Sequence, residues 1–541
     1  MPLDVLVTGG RVATFAGDHG FGWVEAVGIR GGRVAFAGSA VELETRADPH
    51  TLRIELEPGE IAIPGLTDAH LHLLDAAIAA EAVELTEAAT LDEGLALLAA
   101  AHAALPGGTW LVGAGWDQRR WGRWPTAADL ERVAPGRPAA LWSFDHHAVW
   151  VSRVALAVGG VDGRTSDPDG GVVRRLADGS PEGVLLENAV PLVTRHIPEP
   201  APDDLRRLVG AMCRRLLALG VVGVHDPGNV SPDAVLGGFE VYAAMSDAGE
   251  LPLRVHACLR SEGLELAAER GHRSGEPLGA APDPRARVGW LKLFADGTLG
   301  SQTSALLEPR TGSGGDRGVF LTPPEVLRDL AGRAADAGIA SQVHAIGDAA
   351  ARAALDALEP TAGRVALMPR LEHVQLLHPD DLGRFAAGGI AASVQPVHLR
   401  EDAATARRDW GDRAEAFGYP WQNLLGSGAV LAFGTDAPVE PIDPWPGIAM
   451  AVLRRAPEWG SDAPAFGPDE ALTLEQALRA ATIGPATTAR ESDGGRLVPG
   501  ARADLVVLPA APREFGDAAT AGFAEVRPRL VVVEGEIAFE E

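Results

Sequence analysis

The spacing of apolar positions changes character twice along the chain. Through residues 1–60 it has period two in short runs, Val5-Leu-Val-Thr, Val24-Glu-Ala-Val-Gly-Ile, Arg33-Val-Ala-Phe-Ala-Gly and Leu52-Arg-Ile-Glu-Leu, with Gly31-Gly32 as a hairpin turn. The same texture returns in Ala503-Asp-Leu-Val-Val-Leu and Leu530-Val-Val-Val-Glu-Gly-Glu-Ile. Each set alone is too small to bury a core. Residues 1–60 and 490–541 are therefore expected to pair into one split β-sandwich.

Between them, residues 61–489 alternate strand and helix. Strand candidates fall at 61–68, 221–226, 253–259, 288–295, 340–346, 370–375, 391–397 and 430–436. Most are separated by helical patterns such as Pro324-Glu-Val-Leu-Arg-Asp-Leu-Ala-Gly-Arg-Ala-Ala-Asp. This order predicts an α/β fold, a (β/α)8 TIM-type barrel, with an open doubly wound sheet as the alternative. Roughly 150 residues separate the first two strands, too many for one crossover. Residues from about 85 to 205 are read as an insertion after the first barrel strand. Six of the chain's 12 tryptophans lie in it, Trp110, Trp116, Trp121, Trp124, Trp142 and Trp150, and either wall a substrate pocket or form the insertion's own core.

Bulk composition narrows the partners. A net charge of −27 argues against nucleic acid or an anionic membrane surface, both of which need a basic footprint. No stretch has the roughly 18 consecutive apolar residues of a membrane span, and the opening Met1-Pro-Leu-Asp-Val-Leu-Val enters a strand without the features of a signal peptide. Cys213 and Cys258 cannot make a disulfide framework and read as buried thiols of a reducing compartment. The expectation is a cytoplasmic protein acting on a small molecule, with a homodimer left open.

The chemistry-bearing residues fall at the ends of predicted strands, where barrel active sites are assembled. His70 and His72 are two apart on extended backbone, so both imidazoles can address one ion. Further along come Lys292, His344, His373 and Asp436, each at a different strand end. Lys292 is the chain's single lysine; every other of the 47 basic residues is arginine. A buried ammonium readily loses its proton, whereas guanidinium does not. The neutral amine can take up CO2 as a carbamate, an anionic oxygen ligand able to bridge two metal ions. The plain alternative is a lysine whose stem packs in the core. Substrate contacts are assigned to Trp116, His147, His225, Asp296 and His398, with structural roles open for His225 and Asp296. His256, in mid-strand, is read as core.

In the set Pro64-Gly-Leu-Thr-Asp-Ala-His70-Leu-His72, Lys292, His344, His373 and Asp436 the chain resembles the amidohydrolase superfamily. Within it the likeness is to the YtcJ-like branch, amidohydrolase family 3, which includes N-substituted formamide deformylases. Gly115-Trp-Asp-Gln118, Asp145-His-His147-Ala-Val-Trp-Val-Ser152, Leu293-Phe-Ala-Asp296-Gly-Thr-Leu-Gly-Ser301 and His344-Ala-Ile-Gly-Asp348 are further echoes. Ser152 departs from the Asn expected after the Trp-Val pair. The resemblance implies that His70 and His72 bind one divalent ion, that His344 and His373 bind a second, and that carboxylated Lys292 bridges them. Asp436 would touch the first ion and act as general base. Imidazole and carboxylate ligands suit zinc, in one or two sites, with manganese, iron or cobalt as substitutes.

The expected activity is metal-dependent hydrolysis of a C–N bond of amide, N-formyl or N-acyl type. Rival readings are a ring deaminase, an ester or carbamate hydrolase on the same centre, and a non-catalytic barrel subunit. The bridging lysine counts against the deaminase, and the complete ligand set against the inert barrel.

Overall fold

The computed structural model describes residues 2–144, 147–228, 236–282, 284–460, 462–509 and 526–541. Contacts divide the chain into two compact units, one of residues 1–76 and 209–541 and one of residues 77–208.

The first unit holds a barrel of eight parallel strands: β1 (Leu66–Asp68), β2 (Val221–Asp226), β3 (Arg254–Arg260), β4 (Ala286–Phe294), β5 (Ser341–Ala345), β6 (Arg370–His373), β7 (Ala391–Val394) and β8 (Leu431–Phe433). Each pairs in parallel with its neighbour in that order. The strands are buried on both faces, as helix-covered parallel sheets must be, and β2, β5, β6 and β7 have no exposed residue. Helices supply the outer layer. Pro324–Asp336 carries proline in its first turn and buries Leu327, Ala331, Ala334 and Ala335 at helical spacing.

The barrel closes between β8 and β1. The Ala69 amide donates to Phe433 O at 2.8 Å and the Asp436 amide to His70 O at 2.6 Å. The buried Asp68 carboxylate takes the Thr435 hydroxyl at 2.7 Å and the amides of Thr435 and His70 at 3.1 and 3.0 Å. This latch joins the loops that carry His70, His72 and Asp436.

The segment 61–68, read from sequence as one barrel strand, is two. Ile61–Pro64 pairs antiparallel with Leu505–Leu508, and only Leu66–Asp68 enters the barrel. The break is at Gly65, where a Cβ would fall 2.6 Å from the Val222 side chain, so the chain crosses closely over β2. The remaining terminal strands form two sheets. One orders Arg33–Gly38, Ala26–Arg30, Val5–Thr8 and Leu52–Glu55; the other runs from Glu536–Glu540 through Leu530–Val533, Leu505–Leu508, Ile61–Pro64 and Arg11–Ala13 to Trp23–Val24. One apolar core joins Val5, Val7, Val27 and Ile29 to Leu505, Val507, Leu530 and Val532.

The second unit has a six-stranded mixed sheet, ordered Gly171–Arg175, Pro181–Glu187, Ala148–Val151, Ala139–Ser143, Leu111–Trp116 and Val83–Glu84. Its tryptophans pack inward. Trp116, Trp121 and Trp150 are buried in one core with Trp124 against it, and Trp110 and Trp142 pack on a second. Among the described residues no helix is long and apolar enough to cross a membrane.

Candidate metal centre

Six side chains from five strand ends meet at the C-terminal mouth of the barrel. His70 and His72 follow β1, Lys292 lies near the end of β4, His344 in β5 and His373 in β6, and Asp436 follows β8. They line a cavity of about 590 Å³, a size suited to a small molecule.

The carboxylate of Asp436 sits between the imidazoles. Its Oδ1 is 3.3 Å from Nε2 of both His70 and His72, and its Oδ2 is 3.2 Å from Nε2 of His398. Lys292 Nζ is 3.4 Å from His70 Nε2. The ring centroids of His344 and His373 are 4.4 Å apart, and those of His70 and His373 5.2 Å. One donor atom each from His70, His373 and Asp436 can be chosen so that all lie within 4.8 Å of one another.

Acceptors around the rings fix which nitrogen is free. A carbonyl or ionised carboxylate can only accept, so the ring nitrogen facing it carries the proton. His70 Nδ1 donates to Glu372, His72 Nδ1 to Gly228 O at 3.3 Å, and His344 Nε2 to Gly297 O at 3.1 Å. The opposite nitrogen of His344 keeps its lone pair, while Nε2 of His70 and of His72 is turned toward the Asp436 carboxylate. His373 has a buried Nδ1 with no hydrogen-bond partner.

Burial sets the charges. It brings the Lys292 ammonium down to about 8, against the pull of Glu372 and Asp436, so the neutral amine is accessible near physiological pH. Burial, helped by the Lys292 charge, pushes His344 down to about 3, and burial together with His344 holds His373 well below the usual range, so both are neutral imidazoles. For Asp436 burial acts upward, but His70, His398 and His72 outweigh it and the group stays ionised.

These residues fit a divalent cation: the neutral imidazoles of His344 and His373, two further imidazoles turned toward an ionised carboxylate, an unpartnered buried ring nitrogen and an amine that can lose its proton. His373 lies between His70 and His344, Asp436 beside His70 and His72, and Lys292 beside His70.

Two of the candidate ligand positions have unusual backbone. His373 has φ 74° and Asp436 φ 64°, in the left-handed region that costs a non-glycine residue about 1–3 kcal/mol. At His373 the turn interrupts strand alternation, so the adjacent residues Glu372 and His373 both reach His70.

The residues assigned to substrate divide differently. His398 lines the cavity and is held by Glu440 at 3.1 Å. Trp116 is enclosed in the insertion's core, with its indole N–H donating to Leu141 O at 2.6 Å. His225 is also withdrawn, with Nδ1 2.9 Å from Arg370 Nη1 and its ring against Trp290 and His256. Asp296 is fully buried and accepts the amides of Ala305, Ile346 and Gly347 at 2.8–3.0 Å, bracing two loops instead of touching the cavity. His147 is exposed on the insertion, 2.9 Å from Glu187, and its neighbours Asp145 and His146 lie outside the described residues.

Sequence reasoning missed the support beneath the ligands. Glu372 forms an ion pair with Arg370 at 2.7 Å, and Arg370 also donates to Gln342 and, at 3.0 Å, to Ala69 O. Burial pushes the Glu372 carboxyl up, yet Arg370, His70 and Lys292 overcome it and bring it to about 2. The signal was present: Arg370 and Glu372 are two apart in an apolar strand, and buried opposite charges on one face must pair.

The chain is 32% identical to Protein LONG AFTER FAR-RED 3 of Arabidopsis thaliana, covering 93% of this chain and 87% of that protein. It is 30% identical to the YtcJ protein of Bacillus subtilis (strain 168), covering 96% of both. It is 28% identical to N-substituted formamide deformylase of Arthrobacter pascens, covering 99% and 98%. An uncharacterized metal-dependent hydrolase from Pyrococcus furiosus superposes with a TM-score of 0.75 at 26% identity, over 93% of this chain and 98% of that one. The amidohydrolase family model matches residues 58–539, and the chain belongs to that family, in the branch of YtcJ and N-substituted formamide deformylase.

Proposed function

We propose that the protein is a metal-dependent hydrolase that cleaves a carbon–nitrogen bond of amide, N-formyl or N-acyl type in a small molecule. The observation that carries this reading is the 3.4 Å approach of the buried Lys292 amine to His70, within one cluster with His72, His344, His373 and Asp436. The relatedness to N-substituted formamide deformylase over nearly the whole chain supports the choice of bond.

His70 and His72, with Asp436, would hold one ion and His344 and His373 a second, with Lys292 as a carbamate between them; zinc suits this donor set. A divalent ion bound there supplies Lewis acidity and lowers the pKa of water from about 16 to about 7. Asp436 takes the proton from the attacking water and returns it to the leaving nitrogen. His398, anchored by Glu440, orients the second oxygen of Asp436.

The test is elemental analysis of the purified protein together with turnover of formamides, N-acyl amino acids and carbamates by the zinc-loaded enzyme. Lys292→Arg is expected to give folded protein with strongly reduced metal content and little turnover. Normal metal loading and rate in that variant would remove the carbamate, and ester cleavage without amide cleavage would reassign the bond.

A further inference from the structure

One charged group at the cavity is left unused by this reading. Arg260, the last residue of β3, lines the cavity, and among the described residues its guanidinium makes neither an ion pair nor a hydrogen bond. Its Nε is buried without a partner. Arg370, by contrast, is occupied by Glu372, Gln342, Ala69 O and His225. A largely buried guanidinium with five donors and no acceptor is costly unless an anion fills its fork.

Its position relative to the metal centre is defined. Arg260 is the register partner of Lys292 across the parallel β3–β4 pair, so the two side chains leave the sheet on the same face, about one strand spacing (~4.8 Å) apart at the backbone. Both cations lie over one ring, with Arg260 Cζ 4.8 Å and Lys292 Nζ 5.0 Å from the Phe294 centroid. The nearby carboxylates do not occupy the fork. Asp75 acts on Arg260 from beyond ion-pair distance, and the oxygens of Asp226 are taken by the Tyr242 hydroxyl and the Gly228 amide.

We propose that Arg260 is the anchor for a carboxylate on the substrate, which makes the substrate class N-formyl or N-acyl amino acids and not neutral formamides. This rests on the C–N hydrolase reading and adds the amine half of the substrate to it. The spacing suits an α-amino acid: only the nitrogen and the α-carbon separate its carboxylate from the acyl carbon. An acyl carbon beside Lys292 therefore brings the carboxylate to the neighbouring strand's side chain. A planar fork also matches a carboxylate better than any other group on such a molecule.

The experiment measures formate release from N-formylmethionine and from its methyl ester by the zinc-loaded enzyme, with Arg260→Gln and Arg260→Lys beside the wild type. The acid should exceed the ester at least tenfold in kcat/KM. Arg260→Gln should bring that ratio towards one, chiefly through KM, and Arg260→Lys, which keeps the charge and loses the fork, part of the way. Equal rates for acid and ester, or the same ratio in a folded Arg260 variant, would overturn the proposal. If neither compound is hydrolysed, the C–N reading takes the failure, and calorimetric titration with the same pair decides for Arg260. Acid binding that falls at least tenfold in Arg260→Gln supports the anchor; equal binding in the variant, or none in the wild type, removes it.

Discussion

The imidazole of His70 donates its Nδ1 proton to Glu372, so a candidate ligand carried by the loop after the first barrel strand is oriented by a residue of the sixth. Arg370 holds Glu372 in turn and reaches back to Ala69 O, closing a ring of contacts beneath the mouth. Outer partners of this kind set the tautomer and basicity of a ligand.

Glu372→Gln should therefore weaken zinc affinity by about 10–100-fold. It also leaves the Arg370 guanidinium without its counter-ion, at a stability cost of about 3–5 kcal/mol. Chelator competition and urea unfolding measure the two effects separately. Unaltered zinc affinity would show that Glu372 does not orient His70.

Much of this arrangement could be read from residue order because a barrel places every strand end at one mouth. His70, His72, Lys292, His344, His373 and Asp436 needed only their strand positions. Partners set by packing could not be read this way. The assignment of Trp116 to substrate followed a tryptophan count, whereas its indole is consumed by the insertion's own core. His225 and Asp296 also stand at strand ends, but Arg370 and three loop amides claim them. Glu372 was not assigned to the site although His373 beside it was, and the positive φ at His373 lets both reach His70.

Asp436→Asn separates backbone from chemistry. Asn tolerates positive φ well, so the local fold at φ 64° is retained. The variant should keep part of its metal while kcat falls by several powers of ten, equivalent to several kcal/mol of lost transition-state stabilisation. Single-turnover rates at saturating substrate are the readout, and an unchanged kcat would reassign the proton carrier.

Trp116→Ala should act on the fold. Removing a fully buried indole whose N–H is satisfied by Leu141 O costs about 3–5 kcal/mol. The loss should appear as earlier unfolding of residues 77–208 in limited proteolysis and hydrogen exchange. A raised KM with undiminished stability would instead return Trp116 to the substrate wall.

The two cysteines predict an alkaline effect. Burial pushes the thiols of Cys213 and Cys258 up to about 12, while an unfolded cysteine titrates near 8.5. Between those values the unfolded chain has released protons that the native chain still binds. Stability contributed by the thiols is therefore full below about pH 8.5 and is lost as pH rises, by up to about 1.4 kcal/mol per pH unit for each thiol. The Cys213→Ala/Cys258→Ala variant should lose less stability than the wild type between pH 8 and pH 10.5 in urea titrations, whatever its absolute stability. Native protein should also resist alkylation at pH 8 until denaturant is added, because the thiolate is the nucleophile. Parallel stability curves for the two proteins, or rapid alkylation of the native chain, would show that the thiols are less enclosed than their burial implies.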